Sequence, residues 1–177
     1  MKKIVSIIIL LMLNAPVFAQ NARIPQIYEI AQIEKDGDFA LQVFSIPKDG
    51  QKCYYLDAGT LGIGDKVIQI QIDPLYRLFI PLGETLTEAL ETLGRLQDLY
   101  KEPVGTVTEI SGCFAPAFPN ESRETVTITS RILLLSRMLE FSIERDGYIR
   151  ATYITKSDLG SLITTVKLYR KIHPKEL

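Results

Sequence analysis

Asp146-Gly147 stands between two runs of alternating polarity, and this arrangement restricts the fold more than any other feature of the chain. Before it, Leu139, Phe141 and Ile143 alternate with Glu140, Ser142 and Glu144; after it comes Tyr148-Ile149-Arg150-Ala151-Thr152-Tyr153. A two-residue Asp-Gly connection favours a tight hairpin, because both central positions take positive φ. A lone hairpin is barely stable in water, so its apolar face demands more strands or a covering helix.

More strand signals lie on both sides. Residues 27–34 and 39–46 flank Asp36-Gly37-Asp38, and Pro47-Lys48-Asp49-Gly50 makes a second turn before residues 52–56. Ile68, Ile70 and Ile72 alternate with Gln69 and Gln71, the pattern of a half-buried strand, and residues 75–80 extend it past Asp73-Pro74. Val126, Ile128 and Ser130 alternate with Thr127 and Thr129. Near the end, Val166 and Leu168 alternate with Thr165 and Lys167, which reads as a last strand over 162–169. Residues 131–138 fit a short helix or a buried strand, and 112–123 an irregular loop. One helix is expected: Thr85-Leu86-Thr87-Glu88 is a capping box, Leu86, Ala89, Leu90, Leu93, Leu96 and Tyr100 recur at helical spacing, and Pro103 stops the run. The order favours an α+β fold: a mainly antiparallel sheet of about seven to nine strands packed against one main helix over about 85–102.

The first residues read as an address. Lys2 and Lys3 precede about ten apolar residues, too few for the roughly 20 that span a bilayer, and Val17-Phe18-Ala19 is the small-x-small pattern before a cleavage point. We expect a signal peptide over 1–19, cut between Ala19 and Gln20, and a single domain over 20–177. No cysteine follows the cut to carry a lipid, and no later run is long and apolar enough to span a membrane. The expected location is the periplasm or the extracellular space. Without Lys2 and Lys3 the formal charge falls from −1 to −3, a balance that argues against a nucleic-acid partner.

Export raises the prospect of a disulfide between Cys53 and Cys113, the only two cysteines. Such a bridge would close a loop of about 60 residues, for about 4 kcal/mol in the chain-entropy account. Two separate buried thiols are the alternative, and a functional thiol a third reading.

Catalytic material is sparse. The single histidine, His173, sits near the end of the chain, so Ser-His-Asp and Cys-His arrangements lack a well-placed base. No Gly-x-Ser-x-Gly elbow occurs. Two cysteines and one histidine make no zinc pattern, and Asp36-Gly37-Asp38 lacks the alternating ligands of a calcium loop. Gly59-Thr60-Leu61-Gly62-Ile63-Gly64-Asp65 lacks the Lys-Ser/Thr of a phosphate loop and reads as a turn. Asn120-Glu121-Ser122 matches a glycosylation acceptor, but the bacterial look of the leader speaks against a glycan. No catalytic, cofactor-binding or metal-binding residue is singled out.

The reading that remains is an exported, non-catalytic binding or interaction protein, with an envelope or extracellular protein or ligand as partner. Tyr54, Tyr55, Tyr148, Tyr153 and Tyr169 are the candidate contact residues, because tyrosine joins apolar area to a polar tip. One alternative is a secreted hydrolase using paired carboxylates, with Asp57, Asp65 and Glu109 as the acids. The other is a structural subunit of a surface assembly.

Overall fold

The computed structural model of the chain describes residues 26–35, 38–48, 50–63, 71–114, 116, 123–133 and 135–174. The Ala19-Gln20 cleavage point, Asp65, the Asp36-Gly37 turn, Asn120 and most of the Ile68 strand lie outside these residues.

Among the described residues there are eight strands and two helices, with the sheet as the larger part. β1 (Tyr28–Lys35), β2 (Asp38–Lys48), β3 (Gln51–Ile63) and β4 (Gln71–Gly83) come first. Helix α1 (Leu86–Asp98) follows, then β5 (Val107–Cys113), β6 (Arg123–Leu133), β7 (Ser136–Arg145), β8 (Tyr148–Thr155) and helix α2 (Lys156–Ile172). All strand pairs are antiparallel neighbours in chain order, with one addition. The same edge of β3 that pairs with β2 from Gln51 to Asp57 turns at its far end to β8, through Gly62–Ala151 and Ile63–Arg150. These rungs close β3 to β8 into a six-stranded barrel and leave β1 and β2 as a two-stranded wing.

The barrel interior is filled, as small barrels are. Leu61, Leu78, Ile80, Val126, Ile128, Leu139, Phe141 and Ile154 are buried in one continuous cluster with the apolar faces of both helices. Burying each such side chain contributes about 1.5–3 kcal/mol. α1 lies against β4 and α2, and α2 covers the wing. A smaller cluster of Phe44, Ile46, Tyr55 and Cys113, with Cys53 and Phe79 against it, packs separately from this main core.

The expected helix is present. Thr85 accepts from the Glu88 amide at 3.1 Å, and the Glu88 carboxylate reaches back to the Thr85 amide at 3.2 Å. The Asp146-Gly147 hairpin is also as expected, with φ of 55° and 75° at its two turn residues.

Four expectations are corrected. The last strand over 162–169 is instead part of α2. Leu159, Leu162, Ile163 and Val166 are its buried face at helical spacing, Leu168 is exposed, and Thr155 caps the start by accepting from the Asp158 amide at 3.1 Å. The two-residue alternation there was too short to compete with that stripe, so the sheet is packed against two helices. Residues 131–138 are the end of β6, a turn and the start of β7. Residues 59–63 of the glycine-rich stretch belong to β3, which bulges between Asp57 and Gly59 and again between Thr60 and Gly62. Finally, no disulfide joins Cys53 and Cys113. They sit on β3 and β5 with β4 between, and Cys113 is in register with Phe79 and through it with Asp57, not with Cys53, so their backbones stand farther apart than two strand spacings of about 9–10 Å. A disulfide spans Cα atoms only about 4.4–6.8 Å apart.

Candidate functional site

The acids named from the sequence do not converge. Asp57 is buried on β3; its Oδ2 accepts from Arg77 Nε at 2.6 Å and its Oδ1 from the Gly59 amide at 2.9 Å, which ties down the bulge. Glu109 is exposed on β5. Glu140 on β7, a second buried carboxylate, has Arg131 Nε 2.8 Å from its Oε2, off the line of the N–H, a charge contact rather than a hydrogen bond. His173 caps the C-terminus of α2, exposed and stacked on Tyr169 at 4.3 Å. Of the tyrosines, Tyr54 and Tyr55 are core residues, Tyr153 and Tyr169 are half-buried, and Tyr148 is exposed. Among the described residues no group of three His, Cys, Asp or Glu side chains could hold a metal ion, and no helix is long and apolar enough to cross a membrane.

The unusual side chains gather at the two ends of the barrel. At one end the chain leaves α1 and returns beneath the barrel. Tyr100, buried there, donates its hydroxyl to the Ile154 carbonyl at 2.6 Å. Burial pushes its phenol above the ordinary tyrosine range, a hydrogen bond from the Leu139 backbone opposes this, and the charge of Asp158 adds to it. Gly105 and Thr106 exchange backbone hydrogen bonds with Ser130 at 2.8 and 3.1 Å, so the return loop lies along β6. The outer rim is apolar: Val104, Val107, Ile132 and Leu135 are all exposed. Val104 and Ile132 line a shallow open hollow of about 330 Å³. Leu135, at the turn between β6 and β7, is 100% exposed and has φ of 66°.

At the other end the inward-facing positions turn polar and aromatic. Tyr76 continues the face of Leu78, Arg145 that of Ile143, and Arg150 that of Thr152 and Ile154. The Asp146-Gly147 turn sets Arg145 opposite Tyr148 and places Arg150 two residues further on. The Arg150 guanidinium lies 4.3 Å from the centre of the Tyr76 ring. Arg145 lies 5.7 Å from the same ring and 5.4 Å from that of Phe114, which meets Tyr76 edge-on. A desolvated cation–π contact such as that of Arg150 contributes about 2 kcal/mol, and partly exposed ones such as those of Arg145 about 0.5–1 kcal/mol each. Tyr76 donates its hydroxyl to Asp146 Oδ2 at 3.2 Å, and Arg145 Nη1 donates to Glu124 Oε1 at 2.9 Å.

Arg150 is 5% exposed. Its Nη1 donates to the Arg145 carbonyl at 2.6 Å, while its Nη2 lies 3.8 Å from Asp146 Oδ2 and its buried Nε has no hydrogen-bond partner. Buried charged donors are ordinarily satisfied, and an orphan costs about 1–3 kcal/mol.

Sequence reasoning singled out Tyr148 from this cluster and missed Tyr76, Phe114, Arg145 and Arg150. One signal was readable: Arg150 shares the parity of Thr152 and Ile154, so an arginine stands where the strand pattern calls for an inward residue. No protein family, curated protein or solved structure matches this chain.

Proposed function

We propose that the chain is an exported, non-catalytic interaction protein that engages a protein partner through the apolar rim at the α1 end of its barrel. The observation that carries this reading is Leu135, fully exposed and held at φ 66°. That backbone region costs a non-glycine residue about 1–2 kcal/mol, and water gives the side chain nothing in return. Val104 and Ile132, which line one hollow at the same end of the barrel, add exposed apolar surface there, and exposed apolar surface gathered in one region marks an interaction site where scattered residues do not.

The hydrolase reading has less support. Asp57 and Glu140, the buried carboxylates among the described residues, each face an arginine and not each other.

A photo-crosslinker placed at position 135, and as a control at exposed Glu144, tests the proposal in the organism's own envelope. A discrete crosslinked protein at 135 and none at 144, lost with Ile132→Thr while the fold is kept, is the expected result. Equal labelling at both positions, or none at either, would overturn it. A crosslink to a second copy, with concentration-dependent oligomers, would replace it with the assembly-subunit reading.

A further inference from the structure

We propose that the arginine end of the barrel is a binding site for a carboxylate carried on an aromatic or apolar body, held by the Nε–Nη2 edge of Arg150. This goes beyond the rim interaction and stands on different residues. A guanidinium offers two parallel N–H groups along that edge, spaced to meet the two oxygens of a planar carboxylate. In this protein the Nη1 side is engaged by the Arg145 carbonyl. The other edge is not: Nε has no partner, and Asp146 Oδ2 stands 3.8 Å from Nη2, beyond hydrogen-bond length.

The surroundings fix the ligand class. The Tyr76 ring holds the guanidinium plane at 4.3 Å and the Tyr148 ring flanks it at 5.9 Å. Phe114 and Tyr76 form an edge-on aromatic pair 5.4 Å apart beside it. A ligand whose carboxylate meets the fork therefore lays its body on aromatic surface, where a fully hydrated inorganic ion has nothing to contact. Arg145 is held 2.9 Å from Glu124, so its charge is answered within the protein, and of these two arginines Arg150 is the one left to recognise an anion.

Asp146 is the gate. It is exposed on the hairpin turn, bound through the Tyr76 hydroxyl at 3.2 Å, and close enough to Arg150 to compete weakly for the fork. An incoming carboxylate takes the position that Asp146 approaches without reaching.

The test is a titration of the whole exported chain with benzoate, benzamide and inorganic phosphate, following the Arg150 Nε–H resonance by NMR. Benzoate is expected to move that signal saturably, while neutral benzamide and tetrahedral phosphate leave it in place. Asp146→Asn should tighten benzoate about fivefold by removing the competing charge, and Arg150→Lys, which lacks the fork, should abolish the benzoate-dependent shifts of the Tyr148 and Gly147 backbone amides that accompany binding to the wild type. Silence of the Nε signal to benzoate would overturn the proposal, as would equal binding of benzamide or of phosphate. If Asp146→Asn instead weakens benzoate binding, Asp146 is part of the site and the gate assignment fails. The wild-type titration decides the main proposal even if a variant does not fold.

Discussion

The two ends of the barrel are closed by opposite means. The α1 end is sealed with apolar side chains and one neutral phenol whose hydroxyl is satisfied. The Asp146-Gly147 end is sealed with two guanidinium groups stacked on aromatic rings, one of them short of a hydrogen bond. The first kind of closure gives stability from burial and one satisfied hydrogen bond. The second gives less, because part of the cation–π gain offsets the cost of holding a charge away from water. The interior plug at the α1 end is complete, so the contact proposed there falls to its outer rim, whereas at the arginine end the plug itself has a donor to spare.

The strongest way to break the contrast is at the sound end. Leu93→Ala empties a fully buried site on α1 and should cost about 2–5 kcal/mol in denaturant unfolding. Next is Tyr100→Phe, which leaves the Ile154 carbonyl without its donor and should cost about 1–3 kcal/mol at neutral pH. It also carries a pH signature. The folded phenol is raised, so the unfolded chain ionises first; the contribution of Tyr100 is whole below about pH 10 and declines as pH rises beyond it. In the Phe variant that part of the alkaline decline should vanish.

Arg150→Met should cost about 1–2 kcal/mol, since it removes a cation–π contact and the hydrogen bond to the Arg145 carbonyl while relieving an orphan donor. A loss as large as that of Leu93→Ala would make both ends structural and end the contrast. The smallest effect should be a gain: Leu135→Gly relieves the backbone at φ 66° and should stabilise by about 0.5–1 kcal/mol while removing the rim contact. Thermal melts alongside the crosslinking experiment would separate these two consequences.

What could be read from the sequence was local. The Thr85 capping box and the Asp146-Gly147 turn each lie within a few residues, and both formed as their chemistry dictates. The second helix was hidden because Thr164, Thr165 and Val166 are β-branched and Leu168 mimicked an alternation, although Leu159, Leu162, Ile163 and Val166 held the helical stripe. β5 was missed because its alternate positions Val107, Glu109 and Ser111 all face water, so no apolar period marks them. The arginine cluster was beyond local reading. It joins Tyr76, Phe114, Arg145 and Arg150 from β4, β7, β8 and the end of β5, and only closure of the ring brings these together. The disulfide expectation failed for the same reason: strand order, not cysteine spacing, set the distance between Cys53 and Cys113.

That closure rests on Gly62–Ala151 and Ile63–Arg150, two rungs between residues far apart in the chain. Such a seam is late to form and early to open, because its loop entropy must be met before any contact across it gains. Its amides should therefore exchange with solvent faster than those inside the β6–β7 and β7–β8 ladders, as a cooperative unit of their own. Arg150 is a rung of that seam, so the residue that offers its fork to a carboxylate also helps to latch the ring. Occupancy of the fork then holds the ring shut, and seam exchange slows in proportion to the ligand bound.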